Sequence, residues 1–111
     1  TECVNFAEEQ AEKFGVRAPM VGHMGDGNFH VVLPFDPKNK ESYKKIRAFN
    51  DVLIRKALEL NGTITGEHGV GLHKKEYLLE QHPDNIPVMK SIKRTLDPNN
   101  IMNPGKIFDL N

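Results

Sequence analysis

The sequence predicts an α+β fold, with a helix, an antiparallel β-hairpin, a long helix and then C-terminal helices in one domain of residues 1–111. Two short apolar runs on either side of a glycine-rich turn predict the hairpin. Before and after this hairpin, apolar residues recur at intervals of three and four, which is the period of amphipathic helices. The two periodicities together indicate an α+β protein.

The first predicted helix begins almost at residue 1 and ends at Gly15. One apolar stripe supports it, formed by Val4, Ala7, Ala11 and Phe14. Charged residues occupy the other positions, and a glycine commonly follows the last turn of a helix. We therefore expect this helix to pack its stripe against another element.

The hairpin is predicted to pair residues 18–21 with residues 29–33. Asp26-Gly27 is a preferred pair for a type I′ turn, and a turn centred there places His23 directly opposite His30. The opposite face of the sheet is predicted to be core. In this register it carries Met24, Phe29, Val31 and Leu33.

The rest of the chain is predicted to be mostly helical. A pattern of about twenty residues runs from Lys40 to a stop at Asn61-Gly62, and a short extended piece, residues 63–65, leads into the next loop. A helix follows from Leu72 to Gln81. Another begins after Asp84 or Asn85, with Pro87 in its first turn and Val88, Ile92 and Leu96 as its stripe. An irregular tail, residues 101–111, completes the chain.

Composition narrows the class of protein. Fifteen basic residues balance fifteen acidic ones, so no positive surplus favours nucleic acid or an anionic membrane. No apolar run approaches the length of a membrane span. A single cysteine, Cys3, excludes an internal disulfide framework and fits a reducing compartment, so we expect a cytoplasmic protein.

Two glycine-rich segments carry the candidate chemistry. In the predicted register, His23 and His30 are close enough to share one metal ion, and the second segment, Gly66-Glu67-His68-Gly69, offers Glu67 as a third ligand. Two imidazoles and one carboxylate leave a coordination position open, as in catalytic zinc sites. Adjacent side chains of an extended segment point apart, so His68 is predicted to be a base beside the metal.

Three motifs of this sequence resemble the C-terminal part of the FAD-linked D-2-hydroxyacid dehydrogenases, a family that includes D-lactate dehydrogenase and the flavin subunit of glycolate oxidase. The motifs are Gly22-His23-x-Gly25-Asp26-Gly27-Asn28-Phe29-His30, then Gly66-Glu67-His68-Gly69-Val70-Gly71, then Leu96-Asp97-Pro98 followed by Asn103-Pro104-Gly105-Lys106. They occur in the same order and cover most of residues 18–108.

The resemblance implies oxidation of a small 2-hydroxy acid, with hydride transfer to FAD. It implies that His23, His30 and Glu67 bind a divalent metal and that His68 is the catalytic base. Two imidazoles and a carboxylate suit zinc, manganese or iron, with zinc favoured. Asn103 is a candidate flavin contact, although an Asn before Pro is also a common turn. Lys74 matches a lysine of the family, but a lysine that opens a helix is commonly just solvated, so Lys74 is only a minority candidate.

The resemblance also bears on the substrate and on the extent of the protein. Relatives acting on D-2-hydroxyglutarate tend to carry Asn where this sequence has Val32, which favours a lactate- or glycolate-like substrate. The chain lacks an initial methionine and anything similar to the family's N-terminal FAD-binding domain. We therefore expect a fragment of a larger substrate (cap) domain that is inactive alone and self-associates as a homo-oligomer. The alternative is a non-catalytic metal-binding or oligomerisation module.

Overall fold

The computed structural model describes residues 1–111 and contains four α-helices and one two-stranded antiparallel sheet. The elements in chain order are α1 (Glu2–Phe14), β1 (Met20–Val21), β2 (His30–Val31), α2 (Lys40–Glu59), α3 (Lys75–Gln81) and α4 (Ile86–Leu96). This confirms the predicted α+β class and the predicted element order. The chain divides into two compact units, Thr1–Gly66 and Glu67–Asn111.

The two long helices of the first unit have the predicted ends. Gly15 follows α1 in the left-handed conformation, with φ of 61°, and its N–H donates to the Glu12 carbonyl at 3.1 Å. Before α2, the Asn39 Oδ1 atom accepts from the backbone N–H groups of Glu41 and Ser42, each at 3.1 Å. After α2, Asn61 takes φ of 58° and ends the helix.

The core of the first unit forms where α1 meets α2. Ala7 is 1% exposed and Phe49 is fully buried, and the Phe14 ring meets the Phe49 ring edge to face, with centroids 6.2 Å apart. Ile46, Ile54 and Ile64 complete this core. Full burial of such a side chain contributes about 1.5–3 kcal/mol, so this core is the main source of stability for the unit.

The hairpin forms as predicted, but its predicted register is wrong. Met20 pairs with Val31 and Val21 pairs with His30, so the residue opposite His30 is Val21 and not His23. The register differs from the prediction by two residues. Each strand is also only two residues long, shorter than the predicted runs.

The turn chemistry explains the difference in register. A type I′ turn needs positive φ at both central residues, but Gly27 has φ of 77° while Asp26 is not among the residues with positive φ. Residues 24–26 instead form a 3₁₀ turn that Gly27 closes. The Gly27 N–H donates to the Met24 carbonyl at 3.1 Å and the Asn28 N–H donates to the His23 carbonyl at 3.2 Å, which is the Schellman pattern.

The new register also changes the predicted core face of the hairpin. Met24 lies in the 3₁₀ turn and is 43% exposed, so it is not a core residue. Phe29, Val31 and Leu33 are half-buried. The prediction of a core face therefore holds only in part.

In the second unit, α3 starts at Lys75, three residues later than predicted, because Gly71 takes φ of 56° and the next residues turn. The start of α4 matches the prediction, with Asn85 before it and Pro87 in its first turn. The predicted apolar stripe of α4 lies on an exposed surface: Val88, Ile92 and Leu96 are 60%, 56% and 76% exposed. No helix combines the length and the apolar character that crossing a membrane requires.

Candidate active site

His23 and His30 lie at the two ends of the loop that joins the strands. His23 is exposed and precedes the 3₁₀ turn, and its carbonyl accepts from the Asp26 N–H at 2.9 Å. His30 is half-buried in β2. The observed pairing does not place the two imidazoles directly opposite each other, so the register argument for a shared ion is wrong.

Gly22 lets the backbone pass close to His30. Its φ is 140°, and a Cβ atom built on it would lie 2.9 Å from the Phe29 Cα atom and 3.3 Å from the His30 Cδ2 atom. Because real Cβ atoms do not approach backbone atoms so closely, only glycine fits at this position. The first glycine of the motif therefore allows the His30 ring to sit against the start of the loop.

Gly66 brings the second motif to the loop of the first. A Cβ atom at Gly66 would lie 2.8 Å from the Asn28 Oδ1 atom, and Asn28 is half-buried. The absent side chain is thus what allows residue 66 to lie against the histidine-flanked loop. Glu67 and His68 follow Gly66 by one and two peptide units.

The side chains of Glu67 and His68 approach each other. The His68 Nε2 atom lies 3.6 Å from the Glu67 Oε1 atom, with the two side chains 71% and 63% exposed. The prediction that these neighbours point apart, as in an extended strand, is wrong. The residues from 66 to 68 form a bend and not a strand, and Gly69 follows with φ of 79°.

The remaining candidates lie in the second unit. Lys74 is half-buried, and this burial lowers the pKa of its ammonium group. Asn103 is exposed, with φ of 46°, and its carbonyl accepts from the Lys106 N–H at 3.3 Å. The predicted turn at Asn103 is confirmed, while its contact with a flavin stays a prediction.

Sequence analysis missed the role of Asp97 in the third motif. This side chain is 5% exposed, accepts from Lys93 Nζ, and accepts from the backbone N–H groups of Met102 and Ile101 at 2.9 and 3.0 Å. The Lys93 hydrogen bond, followed by the two amides, lowers the pKa of Asp97 to about 2. A lysine four residues before an aspartate at the end of a helix was the available signal.

The motif residues do not line the cleft of the first unit. A cleft of about 330 Å³ lies elsewhere in the first unit, between Gly15–Arg17 and the start of α2, and contains none of them. The candidate residues lie in the exposed loop between the histidines, which belongs to the first unit, and in the bend after Gly66, which opens the second.

Residues 1–107 match the family model described as "FAD linked oxidases, C-terminal domain". The chain is 46% identical over 96 residues to "Probable D-lactate dehydrogenase, mitochondrial" of Danio rerio, covering 86% of this chain and 19% of the relative. It is 42% identical over 106 residues to "Glycolate oxidase subunit GlcD" of Bacillus subtilis, covering 95% and 23%. It is 44% identical over 90 residues to "D-2-hydroxyglutarate dehydrogenase" of Stutzerimonas stutzeri, covering 78% and 19%. The chain thus spans about a fifth of the length of these relatives.

Proposed function

Because the chain belongs to the FAD-linked oxidases, whose C-terminal domain it matches, we propose that it is part of an enzyme oxidising a D-2-hydroxy acid to the 2-oxo acid. In this proposal residues 1–111 are the C-terminal substrate- and metal-binding portion. In the complete polypeptide an FAD-binding domain precedes these residues. This arrangement fits the length of the relatives, of which the chain covers 19–23%.

The observation that carries the proposal is the close approach of Gly66 to Asn28. Asn28 lies in the loop between the two histidines, and Gly66 is the residue directly before Glu67 and His68. Residues far apart in the sequence thereby become candidates for one site.

We assign His23, His30 and Glu67 as ligands of a divalent metal. Their donor atoms, two imidazole nitrogens and a carboxylate oxygen, suit zinc first, and also manganese or iron. The half-buried setting of His30 supports its assignment, since packing against Gly22 restricts the ring. Assignment of His23 rests on the resemblance and on its position at the start of the same loop.

When bound, the metal supplies activation of the substrate α-hydroxyl group and the flavin supplies the hydride acceptor. His68 takes the proton of that hydroxyl group as general base. Its neighbour Glu67 lies 3.6 Å away, so base and ligand belong to the same bend. Asn103, held in its turn by the Lys106 bond, is the proposed flavin contact from this chain.

The proposed substrate is a small apolar 2-hydroxy acid similar to lactate or glycolate. Val32 lies two residues after His30 and is 51% exposed, so an apolar side chain and not an amide is available at this position. The similarity to a D-2-hydroxyglutarate dehydrogenase keeps the dicarboxylic acid as the competing substrate. Val32→Asn should shift the ratio of kcat/KM values towards D-2-hydroxyglutarate.

A non-catalytic metal-binding or oligomerisation module is the second candidate. The exposed stripe of α4 is the observation that favours it, because contiguous apolar surface commonly marks an interface. We propose that other parts of the complete enzyme cover this stripe and that residues 1–111 alone self-associate through it.

A cytoplasmic location stays a prediction from the free thiol of Cys3, and the relative from Danio rerio carries a mitochondrial name.

The direct test uses the complete enzyme, loaded with flavin and metal. His23→Ala and His30→Ala should each remove most of the bound metal and most of the activity on a panel of D-hydroxy acids. His73→Ala, at an exposed histidine outside the proposed site, is the matched control and should retain both. Full metal content in both ligand variants would place the ligands elsewhere, and an enzyme inactive on the whole panel would overturn the proposed reaction.

A further inference from the structure

Part of the C-terminal tail, Gly105–Asp109, is hydrogen-bonded to the start of α3. We call this segment the strap. Lys75 Nζ donates to the Gly105 carbonyl at 3.2 Å and to the Asp109 Oδ1 atom at 2.8 Å. Between these two points the Ile107 N–H donates to the Gly71 carbonyl at 2.8 Å. Three hydrogen bonds thus connect segments about thirty residues apart in sequence.

The strap holds Ile107 in an unfavourable conformation. Its φ is 70°, which β-branched residues rarely adopt, and the Phe108 N–H donates to the Lys106 carbonyl at 2.8 Å across it. A hydrogen bond between residues two apart with positive φ at the centre defines a γ-turn of the rare, strained type. Such strain persists only where surrounding contacts enforce it, and Lys75 and Gly71 supply those contacts.

The strap is attached at the end of the second motif. Gly71 is the last residue of Gly66–Gly71, three residues after His68, and Lys75 opens the helix that follows. At the other end of the motif, Gly66 is confined by the Asn28 side chain. The strap is therefore the C-terminal anchor of the bend that carries Glu67 and His68.

Lys75 is suited to this anchoring role. Its side chain is only 25% exposed, and it binds both ends of the strap, whereas the side chain of its partner Asp109 is 66% exposed. A half-buried ammonium group with two fixed acceptors gives a more defined geometry than a surface ion pair. Neither the second motif nor the third includes Lys75.

We propose that Lys75 is a positioning residue, which holds the strap on Gly71 and thereby fixes the segment that carries His68. This inference rests on the proposed role of His68 as the base. Misplacement of a base by about 1 Å can lower a rate about a hundredfold, so the expected effect is on kcat and not on the binding of substrate.

The test compares Lys75→Met with Lys90→Met in the complete enzyme. Lys90 also binds a carbonyl of the tail, that of Asn111 at 3.3 Å, but outside the strap. Lys75→Met should lower kcat at least about tenfold with KM nearly unchanged, and should speed hydrogen exchange of the Ile107 amide by a similar factor. Lys90→Met should change neither quantity, and Lys75→Arg, which can reach both acceptors, should largely restore kcat.

A milder variant keeps the inference testable if Lys75→Met does not fold. Asp109→Asn removes the negative charge that Lys75 binds and leaves the hydrogen bond from Lys75 to the Gly105 carbonyl. It should therefore also lower kcat, but by a smaller factor than Lys75→Met does. If Lys75→Met and Asp109→Asn both behave like Lys90→Met in kcat and in exchange, the inference is wrong. If His68→Asn retains the wild-type kcat, the proposed function fails, whereas the exchange of the Ile107 amide still decides whether Lys75 holds the strap.

Discussion

The His68 Nε2 atom lies 3.6 Å from the Glu67 Oε1 atom, so the proposed base and the proposed carboxylate ligand face the same side of one bend. The arrangement allows His68 to receive a proton beside the metal that Glu67 is proposed to bind. The roles of the two residues must therefore be distinguished with separate variants, because a change in one side chain alters the surroundings of the other.

We predict that His68→Asn in the complete enzyme lowers kcat by about 10²–10⁴-fold, because general base catalysis contributes about that much. Metal content and flavin content should stay near those of the wild type. Steady-state kinetics, metal analysis and the visible flavin spectrum measure the three quantities.

Glu67→Gln is the matched comparison for His68→Asn. It keeps the size of the side chain and removes the charge, so it should reduce metal content together with kcat. Loss of metal in His68→Asn would instead make His68 a ligand. Retention of metal in Glu67→Gln would exclude Glu67 as one.

A second prediction concerns stability at low pH. Asp97 has a pKa of about 2 in the folded protein, below its ordinary value of 3.8, chiefly because Lys93 donates to it. Its stabilising contribution is therefore fully present above about pH 3.8 and is lost as the pH falls through about 2. Asp97→Asn should lower the melting temperature by several degrees at pH 7, and this difference should shrink below pH 3.8.

The control for Asp97 is Asp51→Asn. Asp51 pairs with Arg55 four residues later at 3.1 Å, but both side chains are at least 41% exposed, so its loss should hardly change the melting temperature. Thermal unfolding between pH 2 and 7 provides the measurement. A difference between wild type and Asp97→Asn that does not depend on pH would contradict the assigned cause.

The third prediction tests the core between α1 and α2. Phe49→Ala should lower the free energy of unfolding by about 3–5 kcal/mol, because it leaves a cavity where the fully buried ring meets Phe14. Phe35→Ala is the control, since Phe35 is 45% exposed and should cost much less. Urea denaturation of both variants gives the comparison, and equal losses would show that Phe49 is not the centre of this core.

The fourth prediction concerns the isolated chain. Residues 1–111 should self-associate at high concentration through the exposed stripe of α4 and should bind no FAD. Ile92→Glu should shift sedimentation towards the monomer, whereas Ser91→Glu, one residue away and off the stripe, should not. A monomeric wild-type chain, or one that retains yellow cofactor, would contradict this prediction.

The helices could be predicted from the sequence because their signals are local. The Gly15 stop, the Asn61-Gly62 stop and the position of Pro87 each depend on a few neighbouring residues, and each is confirmed. The start of α3 was predicted too early because apolar periodicity continues through residues that turn after Gly71. Exposure of the α4 stripe could not be predicted, since periodicity shows which residues share a face and not what covers it.

The hairpin register could not be obtained from the turn sequence. Asp-Gly is compatible with a type I′ turn and also with a 3₁₀ turn closed by glycine, and only the φ of Asp26 distinguishes them. The candidate site was identified from motif residues, while its supporting contacts were missed. Lys75 and Ile107 act through partners that are distant in sequence or through backbone strain, and neither has a local pattern. Asp97 had a local signal, the lysine four residues before it, but that signal does not show that the carboxylate is buried.

The contact between Gly66 and Asn28 constrains how the two motifs can change over evolutionary time. Any side chain at position 66 displaces the Asn28 amide, since even a Cβ atom there would lie 2.8 Å from its oxygen. Substitutions at the two positions should therefore show epistasis, with Gly66→Ala less harmful where Asn28 has already become alanine. A lineage that abandons the glycine must also move or shorten its partner, so the two positions are expected to change together.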